Sequence, residues 1–339
     1  MNLTGAGKIA LILLLAGVLG AGYYFFGPNA QKDSMELSTK SPEGGPISST
    51  NDNVASDDNS ASSETTSSSS ETASFNYTAP EPVDGKLKGV VELGASGFNS
   101  FVVNIDKDQN WKLEKAEFGN SMVIENMASD YDIRIGLKKY IAGMIDHGVS
   151  GKEIHFVVSS GALKADVTGK IIKVLKDMGY MVNTVTPEQE GTLGLKCALP
   201  QAFTGKGFFT DIGSGNTKIA WTEGGAIKSL ESYGAKYYEK GTSDDAVYSE
   251  VGAKAKQVPS AKREICFIIG GVPFDLAKEV RNGKERFTVL KPAEAYKLDK
   301  AKSKAGANIY KAIADATGCK QFVFDWDANF TIGFLLGLK

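Results

Sequence analysis

The chain has 339 residues, of which 42% are hydrophobic, so it is long enough for two domains and a sizeable core. Its formal net charge is −2, but residues 31–84 carry ten acids and two lysines; without these and Lys8, residues 85–339 have 35 bases and 30 acids. Three widely spaced cysteines without CxxC spacing, and two histidines, argue against a disulfide framework and a histidine-based metal centre. Because the sequence has no GxxxxGK[ST] loop and no basic–aromatic array, we expect neither a protein kinase nor a nucleic-acid-binding protein.

An apolar segment lies near the N-terminus. Residues 9–26, IALILLLAGVLGAGYYFF, contain no charge, and eighteen residues are at the lower limit for crossing a bilayer. Lys8 precedes the segment, and Tyr23 and Tyr24 lie where interfacial aromatic residues are expected. We predict a single-pass transmembrane anchor within residues 1–30, with the bulk of the chain outside the cytoplasm and a membrane-protein complex as a partner. A cleaved signal peptide is the alternative.

Residues 31–84 have the composition of a linker. They are rich in Ser, Thr and acidic residues, and they show no periodic apolar pattern. Such a segment cannot bury enough apolar surface to offset the entropy lost on ordering it. We therefore predict a disordered tether between the anchor and the rest of the chain.

From residue 85 onward, strand and helix patterns alternate. LKGVVELGASGFNSFVVNID predicts two strands joined by a glycine-containing turn, and a strand–helix–strand unit with parallel strands follows. A second hairpin, GFFTDIG and TKIAWTEGG, opens the remaining sequence, which ends in a predicted helix. The pattern predicts an α/β fold of two duplicated lobes that face a cleft, residues 85–203 and residues 204–339.

Three glycine-rich turns follow predicted strands. Glycine lets backbone amides approach an anionic ligand, and small polar side chains supply further donors. The candidate phosphate-binding residues in these turns are Gly94, Ser96, Gly97, Asn99, Gly213, Ser214, Gly215, Asn216, Thr217, Gly270 and Gly271. Asp211, just before the second turn, is suited to hold a hydrated divalent cation that bridges to phosphate oxygens. One such turn is usually only a tight turn, but three at successive strand ends predict a phosphate-binding cleft.

The order and spacing of these motifs resemble the exopolyphosphatase/guanosine pentaphosphate phosphatase (Ppx/GppA) family of the actin-like ATPase and sugar-kinase superfamily. The resemblance covers residues 86–339 and implies two ribonuclease H-like lobes around a cleft. The matching stretches are ELGASG (92–97), VVSSGALK (157–164), VTPEQEGTL (185–193), DIGSGNTK (211–218), SLESYGAK (229–236) and TIGFLL (331–336).

The resemblance implies a hydrolase that cleaves phosphoanhydride bonds in polyphosphate or a related polyphosphorylated compound. Glu190 matches the family's general base, and Asp211 and Glu92 match acids expected to hold Mg²⁺. Lys164 matches a basic phosphate-binding position, although a solvated lysine at a helix start is the alternative. Glu190 has an alternative too, as an acid in the first turn of a helix capped by Thr186.

Several positions depart from the family pattern. Glu92 and Ser96 replace an aspartate and an asparagine in the first turn, and Gln189 replaces the first glutamate of a pair. Lys218 replaces the acid that closes the second turn, and Thr331-Ile332 replaces an Arg-Glu pair. Lys218 is suited to bind phosphate directly, or to displace Mg²⁺ and leave only binding. Two hypotheses therefore remain: a membrane-anchored hydrolase, or a degenerate domain that binds a phosphorylated ligand or a membrane partner.

Overall fold

The computed structural model describes residues 75–94, 97–120, 129–164 and 166–338, which belong to one compact unit. They form two β-sheets with helices packed against them, the α/β arrangement that the sequence predicts. Within these described ranges, no helix is both long and apolar enough to cross a membrane. The predicted anchor over residues 9–26 lies outside them.

The first sheet has five strands in the order β3-β2-β1-β4-β5. β1 (Lys86–Leu93), β2 (Gly97–Ile105) and β3 (Trp111–Asn120) are antiparallel neighbours, whereas β4 (Ile154–Val158) and β5 (Val182–Thr184) run parallel to β1. The predicted hairpin and the predicted parallel pair are both confirmed. Every residue of β4 is buried, as expected for a central strand of a parallel unit.

Two helices pack on this first sheet. α1 (Asp130–Asp146) begins after Ser129, whose hydroxyl accepts a hydrogen bond from the amide of Asp132. α2 (Asp166–Asp177) connects β4 to β5. Residues of α1 three and four apart form its buried face, as the helical spacing predicts. These residues are Ile133, Leu137, Ile141 and Met144.

The second sheet has six strands in the order β10-β11-β9-β6-β7-β8. Its strands are β6 (Gly207–Ile212), β7 (Asn216–Glu223), β8 (Ala226–Tyr233), β9 (Ile265–Ile269), β10 (Phe287–Val289) and β11 (Gln321–Asp325). β6, β7 and β8 are antiparallel, β9 runs parallel to both β6 and β11, and β10 is an antiparallel edge strand. Three further helices follow β8: α4 (Asp244–Ala255), α5 (Gly271–Val280) and α6 (Ala301–Thr317).

Two helices join the sheets to each other. α3 (Pro187–Ala198) follows the first sheet in sequence but packs on β6, β7 and β8, while α7 (Phe330–Leu336), at the end of the chain, packs on α3 and on β1. The two helices approach closely because α7 carries Gly333, where a Cβ atom would lie 2.0 Å from the carbonyl oxygen of Leu193. Each sheet is therefore covered partly by a helix from the other half of the sequence.

The structure corrects the predicted disorder of the last part of the linker, residues 31–84. Residues 75–84 are described, and alternate side chains among them pack against the second sheet. The ring of Phe75 lies 5.7 Å from that of Phe267 and 5.5 Å from that of Phe287, between centroids. Aromatic side chains bury large apolar areas, so this packing holds the stretch that begins at Phe75 against the second sheet.

Candidate functional site

A cleft of about 570 Å³ lies where β1, β6 and β9 end. Ligands of open α/β sheets commonly bind at the carboxyl ends of the strands. The structure brings most of the predicted site residues together here. Those that line the cleft are Glu92, Gly94, Asn99, Glu190, Asp211, Gly213, Ser214, Gly215, Asn216, Lys218, Gly270 and Gly271.

Four predicted residues are not among the described residues that line the cleft. Thr217 is buried on the opposite face of β7 from Asn216 and Lys218, as strand alternation requires. Ser96 lies outside the described residues. Gly97 begins β2, and Lys164 ends a short 3₁₀ turn; the structure describes only their backbone.

The Lys218 ammonium group is at the centre of the cleft's charge network. Lys218 and Asp211 are directly opposite each other on β7 and β6. The Nζ atom of Lys218 lies 2.6 Å from Oε2 of Glu190 and 3.3 Å from Oδ2 of Asp211. The side chains are 7%, 1% and 13% exposed for Lys218, Glu190 and Asp211, so this ion network is largely removed from water.

The start of α3 positions Glu190. Thr186 caps the helix: its hydroxyl accepts from the Gln189 amide, while the Gln189 side chain accepts from the Thr186 amide. Pro187 occupies the first turn, where its missing amide hydrogen costs nothing. Glu190 is therefore both an acid of the first helical turn and a cleft residue, so its two predicted interpretations are compatible. Its Oε1 atom accepts a 2.6 Å hydrogen bond from the amide of Ser160.

The protonation state of Lys218 follows from its neighbours. Burial lowers the pKa of Lys218, but the charges of Asp211 and Glu190, together with hydrogen bonds to both carboxylates, raise it by more. The net pKa of Lys218 is thus well above its ordinary value. The ammonium group therefore stays charged at neutral pH, within ion-pair distance of both acids.

Glu92 occupies the corresponding position in the first hairpin, but with neutral partners. Its Oε2 atom accepts hydrogen bonds from the side-chain amides of Asn99 at 2.9 Å and Asn329 at 3.0 Å. Asn99 is the residue opposite Glu92 on β2. Burial raises the pKa of Glu92, the two amides oppose that rise, and the charges of Asp211 and Glu190 add to it. Glu92 therefore gains a proton more readily than an ordinary glutamate as the pH falls.

The second glycine turn is held by backbone hydrogen bonds. The amide of Gly213 donates to the carbonyl of Asn216 at 3.0 Å, and the amide of Ala235 donates to the carbonyl of Gly213 at 2.9 Å. Gly234 passes so close to the turn that its Cβ atom would lie 2.3 Å from the amide nitrogen of Asn216. The Asn216 side chain donates to Glu231 at 2.8 Å, which fixes its orientation. The turn is therefore rigid before any ligand arrives.

The third turn begins α5 at the cleft edge. Gly270 has a φ of 114°, and a Cβ atom there would lie 2.3 Å from the carbonyl oxygen of Ile212. No side chain caps the helix start. The Lys302 ammonium, on α6, is near Gly271, where an added Cβ atom would lie 3.6 Å from its Nζ. Uncapped amides and a lysine together make this edge the most favourable part of the described cleft for an anion.

The sequence analysis missed the segment after β11. Asp325 lies at the end of that strand and forms two 3.0 Å hydrogen bonds with Arg286. Trp326, Asp327 and Asn329 follow and also line the cleft. The available signal was the stretch DWDAN, which places three polar residues at and just after the end of a buried strand. Aromatic residues were missed as well; those in the lining are Phe101, Phe118, Phe274, Phe324 and Phe330.

The residues of the cleft do not fit the Mg²⁺ that the family resemblance implies. Mg²⁺ requires nearly octahedral oxygen coordination at about 2.0–2.1 Å. The ammonium of Lys218 already fills the space between the carboxylates of Glu190 and Asp211. Glu92, the other predicted metal ligand, accepts from two amides. In the part of the chain that the structure describes, no three His, Cys, Asp or Glu side chains are grouped as metal ligands.

No protein-family model and no curated protein sequence matches the chain. Solved structures do match it. The type II variant of the Aquifex aeolicus Ppx/GppA phosphatase is 13% identical with a TM-score of 0.54, over 74% of this chain and 98% of that chain. Another structure of the Aquifex aeolicus PPX-GPPA enzyme is 15% identical with a TM-score of 0.56, over 75% of this chain and 100% of that chain. An exopolyphosphatase from Cytophaga hutchinsonii is 13% identical with a TM-score of 0.55, over 75% of this chain and 99% of that chain. The chain therefore has the mixed α/β, two-sheet fold of the Ppx/GppA phosphatases.

Proposed function

We propose that the cleft binds a small phosphorylated ligand and does not hydrolyse it. The observation that carries this proposal is the state of Glu190. A general base needs a carboxylate oxygen that can accept the proton of the attacking water. Here Oε1 accepts from the Ser160 amide and Oε2 lies 2.6 Å from the Lys218 ammonium, so both oxygens already have a partner, which disfavours a role for Glu190 as the base.

Backbone amides and one lysine are the groups that favour a phosphorylated ligand. The second turn and the uncapped start of α5 face the same cleft, which Lys302 also lines. Peptide amides at a glycine turn and at a helix start bind phosphate without a metal ion.

The charge of the cleft argues for a short ligand rather than a long polyphosphate chain. Among the described residues that line the cleft, two are lysines, Lys218 and Lys302, and Lys218 is already paired. A polyanion needs a surplus of positive charge along its path. The carboxylates that line the cleft outnumber the lysines; they are Glu92, Glu190, Asp211, Asp325 and Asp327.

Phosphoanhydride hydrolysis is the second candidate function, with polyphosphate or a guanosine polyphosphate as substrate. It is favoured by the presence of Glu190 in the cleft and by the fold shared with enzymes described as exopolyphosphatases. It requires Lys218 to leave Glu190 when the substrate binds, because the base is otherwise engaged.

We also propose that the chain is membrane-anchored through residues 9–26, with the cleft domain outside the cytoplasm and next to a membrane-protein partner. The support is the uncharged apolar segment and the Ser-rich acidic tether in the sequence. Fractionation of cells that express the full-length chain, with alkaline extraction of membranes, tests the anchor. Release of the chain by alkaline treatment contradicts it.

The test of function uses purified full-length protein in two assays. Orthophosphate release is measured with Mg²⁺ and tripolyphosphate, long-chain polyphosphate or guanosine penta- and tetraphosphate, with Glu190→Gln as the control variant. Ligand binding is measured by thermal stabilisation with the same compounds. We expect stabilisation by a short phosphorylated compound without phosphate release. Release that is lost in Glu190→Gln establishes the hydrolase instead, and the absence of stabilisation by every compound contradicts phosphate binding.

A further inference from the structure

We propose that the Lys218 ammonium is a built-in cation that takes the place of a divalent metal ion, so that the cleft is complete without metal. The inference concerns the same site as the proposed function, and its ligand-binding consequence rests on that function. Its metal-exclusion consequence does not, because it can be tested with a metal ion alone.

The first argument is geometric. Two largely buried acids of the cleft, Glu190 and Asp211, converge on one atom, the Nζ of Lys218, at 2.6 Å and 3.3 Å. An ion that used the same two carboxylates would have to occupy nearly the same point. Repulsion from the ammonium at such short range, in a site of reduced dielectric constant, prevents both cations from being bound together.

The second argument is that Lys218 is packed in place. Gly191 of α3 faces it so closely that a Cβ atom on Gly191 would lie 3.3 Å from the Cβ of Lys218. A Cβ atom on Gly213 would lie 3.9 Å from the Nζ atom. With the side chain 7% exposed, displacement of the ammonium to water would leave two carboxylates unpaired in a poorly solvated site. A divalent ion therefore has no low-energy route to these carboxylates.

The third argument is the net charge of Lys218, Glu190 and Asp211 taken together. One ammonium and two carboxylates leave a net charge of about −1, whereas a divalent ion with the same acids would leave about zero. In the described site, Lys218 thus neutralises the charge of the two acids only in part. An anionic ligand must therefore be bound mainly by the amides of the glycine turns. Because the cation is covalently tethered, the site cannot lose it to a chelator.

The metal arm of the test compares the full-length chain with Lys218→Glu and Lys218→Gln. Lys218→Glu adds a third carboxylate to Glu190 and Asp211, an oxygen-rich set suited to a divalent ion. Lys218→Gln removes the charge but keeps a hydrogen-bonding side chain. Lys302→Glu is the matched control, since it adds a carboxylate elsewhere in the same cleft. The readout is the unfolding temperature with EDTA or with Mn²⁺, and no phosphorylated ligand is present.

We expect Mn²⁺ to leave the wild-type chain and Lys302→Glu unchanged. At a free Mn²⁺ concentration about 100 times its dissociation constant, the unfolding temperature of Lys218→Glu should rise by roughly 5–10 °C. Lys218→Gln should rise by less. Stabilisation of the wild-type chain by Mn²⁺ that is as large as that of Lys218→Glu overturns the proposal, and so does the absence of any response in both Lys218 variants.

If Lys218→Glu does not fold in EDTA, the same question is answered by refolding it with and without Mn²⁺. Recovery of a cooperative unfolding transition only with Mn²⁺ supports the proposal. Failure under both conditions shifts the decision to Lys218→Gln, whose lack of any Mn²⁺ response then overturns it.

The ligand arm measures binding of tripolyphosphate to the wild-type chain by calorimetry in EDTA. We expect the affinity in EDTA to be within about twofold of that in metal-free buffer without EDTA. Loss of tripolyphosphate binding in EDTA contradicts the built-in cation. If tripolyphosphate does not bind under either condition while the metal arm gives the expected result, the proposed ligand class fails but the tethered cation stands.

Discussion

The first hairpins of the two sheets place an acid at the same position, but the residue that faces the acid is neutral in one hairpin and positively charged in the other. In each, an acid near the end of the first strand faces a residue directly opposite on the second strand: Glu92 faces Asn99, and Asp211 faces Lys218. The amide gives Glu92 a neutral donor, and burial raises the pKa of Glu92, whereas the ammonium gives Asp211 a counter-charge. One cross-strand residue thus decides whether a cleft acid is paired with an amide or with a cation.

The largest effect is expected when the second hairpin loses its cation. Lys218→Met leaves Glu190 and Asp211 without a counter-charge in a poorly solvated site, and breaking a buried ion pair in this way costs about 3–5 kcal/mol. Chemical denaturation at pH 7 measures the loss. The matched control is Lys206→Met, which removes an exposed pair with Glu264 of the same 2.6 Å length and should cost less than about 1 kcal/mol.

Adding Glu190→Gln to Lys218→Met sharpens that result. The double variant has one fewer uncompensated carboxylate, so it should be more stable than Lys218→Met alone. Equal losses for Lys218→Met and Lys206→Met would show that the network does not stabilise the fold beyond an ordinary surface pair.

A smaller effect is expected when the first hairpin loses its amide. Asn99→Leu removes one of the two hydrogen bonds to Oε2 of Glu92 and keeps the other, from Asn329. Because the carboxyl group is partly buried and can still take up a proton, the expected loss is about 1–2 kcal/mol at pH 7. The loss should shrink as the pH is lowered, since protonated Glu92 depends less on donors. A loss that is constant across pH would mean that Asn99 acts through packing.

Both hairpins, and their alignment at one cleft, follow from the sequence because strand patterns and glycine turns are local signals. The positions of Asp211, Gly213 and Asn216 were predictable for this reason. The contact between Lys218 and Glu190 was not, because it joins β7 to a helix that precedes it by almost thirty residues and crosses to the other sheet. Because Lys218 stands where the resembled family has an acid, the sequence did raise the question of whether Mg²⁺ can bind. The distance between Lys218 and Glu190 that answers this question depends on how α3 packs.

The segment after β11 was missed for a related reason. Asn329 completes the environment of Glu92 although 237 residues separate them. It does so while also capping α7, since its side-chain oxygen accepts from the amide of Thr331. A helix cap was recognisable from the local sequence, but a cap whose amide nitrogen reaches into a distant site depends on tertiary packing.

The smallest effect is expected when the first hairpin is given a cross-strand cation like that of the second hairpin. Asn99→Lys gives Glu92 a cross-strand cation like the one that Asp211 has. In the wild-type chain the folded pKa of Glu92 is above its ordinary value of 4.5, so the folded state holds this proton more tightly than the unfolded state. Glu92 therefore destabilises the fold as the pH rises from about that value through the folded pKa.

A cation at position 99 favours ionised Glu92 and lowers its folded pKa, so Asn99→Lys should weaken or reverse this pH dependence. The free energy of unfolding between pH 4 and pH 8 measures it, with Glu92→Gln as the control that removes the titrating group. Asn99→Lys should change the pH profile in the Glu92 background and leave it unchanged in the Glu92→Gln background. If Glu92→Gln has the same profile as the wild-type chain, Glu92 does not cause the pH dependence, and the hairpins differ only in the partners of their acids.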